Sequence, residues 1–63
     1  MIMIIYKDIM VHGDKLEMCD KSNILTFYNN NNMILNIFTN YQYLKYDTTL
    51  NNGTVVYELI DTK

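Results

Sequence analysis

Arginine, alanine, proline and tryptophan are absent from this chain of 63 residues, and cysteine and histidine occur once each, as Cys19 and His12. A single cysteine excludes an intrachain disulfide. Cys19 and His12 together fall two ligands short of the four that a structural zinc site takes, so neither a metal nor a cofactor is expected. There is no arginine, and the five lysines are scattered along a chain of net charge −2. No basic groove follows from that pattern, and nucleic acid and anionic membrane surfaces are disfavoured as partners. The two glycines, Gly13 and Gly53, lie forty residues apart, which leaves no glycine-rich phosphate loop. The apolar N-terminus, MIMIIYKDIMV, is too short to span a bilayer and carries Lys7 and Asp8 within it. No basic residue precedes it and no small-residue cleavage site follows. It is expected to be a strand and not a signal peptide, in a cytoplasmic, reducing setting.

Asparagine, isoleucine and tyrosine are abundant instead, with nine, eight and six residues. Their codons are AT-rich, whereas those of alanine, proline and most arginines are GC-rich. The simplest origin is a GC-poor genome, and by association a virus or another mobile element. The length allows one domain, residues 1–63. A domain this small buries only about 60% of its unfolded surface. With neither disulfide nor zinc to supplement that core, oligomerisation or partner binding is the expected supplement.

The densest apolar and aromatic stretch is Met33 to Tyr46, MILNIFTNYQYLKY. Around it, alternation and turn residues predict an all-β fold: a small antiparallel meander of five to six strands, curled or closed into a barrel. The first strand covers residues 1–11, either covered on both faces or bent by a bulge near Lys7 and Asp8. Gly13-Asp14 centres a turn in which glycine accepts a positive φ, and Lys15 to Cys19 alternates cleanly. Asp20 to Asn23 forms a second turn before the strand Ile24 to Tyr28. Asn29 to Asn32 makes a hairpin loop, because asparagine tolerates the left-handed region. Strands follow over Met33 to Phe38 and Gln42 to Leu50. Asn52-Gly53 reads as a type I′ turn leading to a last strand, Thr54 to Ile60, with Asp61 to Lys63 frayed. The alternative is an α+β fold in which residues 33–46 form a helix, since Ile34, Ile37, Phe38, Tyr41 and Leu44 share a helical stripe.

Carrying the pairing through these turns sets Leu16 against Phe27, Met18 against Leu25, Phe27 against Ile34, Ile34 against Tyr46 and Tyr46 against Leu59. One face then collects Ile9, Val11, Leu16, Met18, Leu25, Phe27, Ile34, Phe38, Leu44, Tyr46, Leu50, Val55, Tyr57 and Leu59 as a core. The other carries Ile2, Ile4, Tyr6, Ile24, Tyr28, Met33, Leu35, Ile37, Tyr43 and Ile60. A solvated antiparallel face is mostly polar, so a second apolar face points to an interface.

Candidate chemistry is sparse. His12, Asp14, Glu17 and Cys19 cluster near the first turn, and a Cys–His pair is a nucleophile–base motif. In this register, however, the two lie too far apart to bond, and a turn histidine beside a half-buried thiol is the simpler reading. Asp47 and Glu58 face one another across the last hairpin with Lys45 diagonal, as a solvated charge patch. The aromatic residues lack the basic groove that base stacking uses. Asn52-Gly53-Thr54 matches a glycosylation acceptor, but nothing directs the chain to the secretory route. Catalysis is therefore not expected. The expectation is a small interaction protein that acts as an inhibitor or adaptor on another protein or on itself, through Tyr28, Met33, Leu35, Ile37, Tyr41 and Tyr43. The alternative is an oligomer that binds or sequesters a small molecule such as a nucleotide, held by Tyr and Asn side chains.

Overall fold

In the computed structural model, which describes residues 1–19 and 21–61, the chain is all-β with seven strands. They are β1 (Ile2–Tyr6), β2 (Ile9–Gly13), β3 (Lys15–Cys19), β4 (Ile24–Tyr28), β5 (Ile34–Thr39), β6 (Tyr41–Thr49) and β7 (Val55–Asp61). They form two sheets and not a closed barrel: a four-stranded sheet in the order β2-β1-β7-β6 and a three-stranded sheet in the order β3-β4-β5. Residues 33–46 hold β5 and β6, so the helical alternative is overturned. Threonine, isoleucine and tyrosine suit a pleated surface better than a helix, and asparagine is a poor helix former. The expected fraying of 62–63 lies outside the described residues, whereas Asp61 is the last residue of β7.

The meander fails at three places. First, the apolar run 1–11 is a hairpin and not one strand. Tyr6 pairs with Ile9 around Lys7-Asp8, and Lys7 takes a φ of 54°. Second, Gly13-Asp14 makes no reversal. The chain passes from one sheet to the other there, and the Asp14 amide donates to the Tyr28 carbonyl at 2.9 Å. Gly13 is buried against the Phe27 ring, and a Cβ on it would stand 2.7 Å from Cζ. Close approach, not a positive φ, is why glycine occupies that position. Third, β5 crosses back to the four-stranded sheet through Asn40, at a φ of 61°. β5 and β6 therefore do not pair, and the expected Ile34–Tyr46 match is absent. The last strand, β7, lies between β6 and β1 and runs parallel to β1, with Ile2 opposite Val55 and Ile5 opposite Glu58.

Two hairpins share one loop design. Gly53 N donates to Leu50 O at 3.0 Å, and Leu50 N to Thr54 O at 2.8 Å. Likewise Asn32 N donates to Asn29 O at 3.1 Å, and Asn29 N to Met33 O at 2.9 Å. Both loops close with a left-handed residue, Gly53 at φ 90° and Asn32 at φ 62°. This is the three-residue hairpin loop and not the type I′ turn expected at Asn52-Gly53. It shifts the register by one residue, setting Thr49 against Val55, and a second shift between Tyr46 and Thr48 then sets Tyr46 against Tyr57, Lys45 against Glu58 and Leu44 against Leu59. β3 and β4 pair as expected, with Leu16 opposite Phe27 and Met18 opposite Leu25.

The core lies between the two sheets. Ile4, Tyr41 and Leu59 from one meet Leu25, Phe27 and Phe38 from the other, with Ile2, Tyr6, Val11, Leu16, Leu44 and Tyr57 packed around them. Each fully buried side chain of this size stabilises by about 1.5–3 kcal/mol. Tyr6 meets Phe38 edge to face, with centroids 5.5 Å apart. Ile2, Ile4 and Tyr6 thus belong to the core and not to the second apolar face. Ile9, Met18, Ile34, Tyr46 and Leu50, expected inside, are exposed.

Candidate interaction surface

Leu25 and Phe27 face inward, so strand alternation turns Ile24, Thr26 and Tyr28 of β4 outward. Across the ladder, Ile24 meets Thr39, Thr26 meets Ile37 and Tyr28 meets Ile34. On the other side of β4, Tyr28 meets Lys15 and Thr26 meets Glu17. The outer face of the three-stranded sheet is therefore apolar over β4 and β5, with one cation and one anion along β3. Ile34 and Ile37 stand 58% and 52% exposed, and Met33 at the end of the strand 63%. No charged residue occurs from Ser22 to Leu44.

The polar margin is ordered. Lys15 Nζ donates to Asn32 Oδ1 at 2.7 Å, and Tyr28 Oη donates to Glu17 Oε1 at 3.3 Å. Partial burial and then the Glu17 carboxylate push the Tyr28 phenol above its usual pKa. These side chains border a shallow depression of about 390 Å³.

β5 is an edge strand, but a protected one. Its register with β4 shifts between Phe27 and Tyr28, leaving Leu35 as the extra residue of a bulge. The Ile37 amide donates to Asn36 Oδ1 at 2.9 Å. Bulges and engaged edge amides both obstruct the addition of a further strand.

A second feature is an open groove of about 510 Å³ between the β1–β2 turn and the end of β5, lined by Tyr6, Lys7, Ile9, residues 36–40 and Asp61. One wall is an ion pair, Lys7 Nζ to Asp61 Oδ2 at 3.3 Å, and Tyr6 Oη donates to Asp61 Oδ1 at 3.4 Å. The hydrogen bond to Asp61, and then its charge, raise the Lys7 pKa above its ordinary value.

Of the residues expected at an interface, Tyr28, Met33, Leu35 and Ile37 all lie in the β4–β5 hairpin of the three-stranded sheet, with Ile37 level with the middle of β4. Tyr43 is exposed on β6 of the other sheet and is not part of that patch. Tyr41 is 2% exposed and is a core residue, because the turn at Asn40 sends it inward. Ile34, expected inside, stands on the same outer face as Ile37. His12 and Cys19 lie on strands of different sheets. Glu58 faces Lys45 and not Asp47, which sits where the β6–β7 register shifts. Among the described residues no group of three or more His, Cys, Asp or Glu side chains could hold a metal. No helix among them is long and apolar enough to cross a membrane. Comparison with protein-family models, curated proteins and solved structures returns no match for this chain.

Proposed function

We propose that this chain is a small, non-catalytic interaction protein of a viral or mobile genome. In this reading it works in the host cytosol as an inhibitor or adaptor, binding another macromolecule through the outer face of β4 and β5. The observation that carries the reading is the exposure of Ile34 and Ile37 on a strand pair without a single charge. Exposed contiguous apolar surface rimmed by polar groups is the usual signature of a protein interface. Tyr28, an amphipathic donor at the margin, suits the same use. The test is a paired capture from host lysate with the wild-type chain and a folded Ile34→Asp/Ile37→Asp variant as baits. Proteins retained by the first and lost by the second support the reading. Identical captured sets remove it.

The groove beside β5 supports a second reading, small-molecule binding, because its volume falls within the range of ligand pockets. Tyr6, Asn36 and Asn40 line it and offer stacking and hydrogen bonds. A thermal-shift screen with nucleotides separates the two. A rise of several degrees that Asn36→Ala abolishes favours the groove.

A further inference from the structure

We infer that the occupant of the outer face of β4 and β5 is a second copy of this chain, packed face to face about a two-fold axis. The inference rests on the interaction reading above: in the free chain a second copy covers the same face, and a host macromolecule binding there displaces it. An isologous interface must be complementary to itself, and three observations meet that requirement.

The first is charge. Lys15 and Glu17 are two residues apart on β3, on the outer face, and no other charged side chain lies on β3 to β5. Place a two-fold axis between the sheets, across the strands at the level of the Leu16–Phe27 pair. β3 then lies over the second copy's β3, with Lys15 facing the second copy's Glu17 and the reverse. The rim makes two opposite-charge pairs and no like-charge pair.

The second is the apolar register. The same axis lays β5 over β5, so that Ile34 faces the second copy's Ile37. These two isoleucines are outward on either side of the level of Phe27 and Asn36. The third is the state of the edge. The Leu35 bulge and the Asn36 side chain on the Ile37 amide obstruct pairing along the edge of β5 and leave its face as the available apolar surface.

Area sets the strength. Three strands about 4.8 Å apart and five residues long give a footprint of roughly 14 by 17 Å. With side-chain relief and Met33 at the end, that is on the order of 500 Å² of accessible surface per copy. A pair buries on the order of 1,000 Å², the lower bound for a specific interface. An interface at that bound belongs with the weak, transient ones, and the dilution series is centred on a Kd of about 10 µM as its working value.

The experiment is light scattering on the full chain over a dilution series spanning that Kd, with circular dichroism melts on every variant. The wild type should move from a mass near twice 7.5 kDa to a single chain on dilution. Ile37→Lys should weaken the dimer at least tenfold without lowering the melting temperature by more than a few degrees, and Ile37→Thr should weaken it less. Lys15→Glu and Glu17→Lys should each weaken it several-fold, and the double swap should restore it, which a purely structural role for either residue does not predict. A wild type that stays monomeric at every concentration overturns the second copy but leaves the interaction reading to the paired capture. A dimer indifferent to Ile37→Lys, or to the charge swaps, also overturns it, because it assembles through another surface.

Discussion

Replacing Gly13 by alanine tests how the two sheets meet. Gly13 is buried, and a Cβ there would sit 2.7 Å from Phe27 Cζ, 2.9 Å from Cε2 and 3.0 Å from Cε1. Carbon atoms rest at about 3.5–4.0 Å, so three ring atoms must retreat by up to about 1 Å. Phe27 is fully buried and has no open space to swing into. Overpacking of this kind costs about 1–3 kcal/mol, and three ring atoms at once place it in the upper half of that range. A domain of 63 residues holds roughly 3–9 kcal/mol in all. At about 4–8 °C per kcal/mol, Gly13→Ala should lower Tm by roughly 10–20 °C. The cause is separable by a double-mutant cycle read from urea unfolding. Phe27→Leu removes the ring atoms that collide, and alone costs about 1–2 kcal/mol as a cavity. In that background Gly13→Ala should cost almost nothing, a coupling of about 2 kcal/mol. Gly53→Ala is the control. Its Cβ would meet open space, but φ is 90°, so it costs about 1 kcal/mol whatever stands at position 27, and Gly53→Asn recovers most of that. A Gly13→Ala within about 0.5 kcal/mol of wild type, or equally costly in both backgrounds, refutes the close-approach argument.

Three further outcomes are expected. Asn32→Ala should cost about 1 kcal/mol in urea unfolding, because it puts a residue with a Cβ and no side-chain amide at φ 62°; Asn32→Gly loses the same exposed bond to Lys15 but accepts that φ, and should be nearly neutral. For Lys7 the folded-state pKa lies above its unfolded value of 10.5, so the stability it contributes is full below that pH and is lost as pH rises through the folded pKa. The difference in urea midpoint between wild type and Lys7→Met should therefore stay constant from about pH 6 to 9 and shrink above about 10.5. Asn36→Val strips the side-chain acceptor from the Ile37 amide and adds a β-branched residue to an uncharged edge, so light-scattering aggregation on prolonged incubation should rise over wild type with little change in Tm.

The all-β class was legible because period-two alternation and β-branched content agree over most of the chain. The Leu16–Phe27 and Met18–Leu25 pairs were legible too, since a local polar turn sets them and both partners are close in sequence. The Asn29–Asn32 loop was legible from asparagine's tolerance of the left-handed region. What failed was what depends on distance or on rare conformations. A lysine at φ 54° is no turn signal, so the first hairpin was hidden inside an apolar run. Gly13 was taken for its backbone freedom, whereas it is there because Phe27, fourteen residues on, fills its side-chain space. The parallel β1–β7 pair joins the two ends of the chain and leaves no local trace. The candidate surface was half legible. Tyr28, Leu35 and Ile37 were placed on one face by alternation. Tyr41 was not, because the left-handed Asn40 and the register shift between Tyr41 and Tyr43 turn that one residue inward, while Leu44, Tyr57 and Leu59 keep the core side expected of them.

The parallel β1–β7 pair also sets the order in which the molecule can be made. Ile2 is bridged to Val55, so the middle of the larger sheet closes only when the last strand has been synthesised. Until then the N-terminal hairpin has lost its neighbour, and Ile4, which ends as one of the most buried residues, waits in solvent. The larger sheet therefore commits in one late step that joins residues more than fifty positions apart, and the slow stage of its formation is the interval before that step.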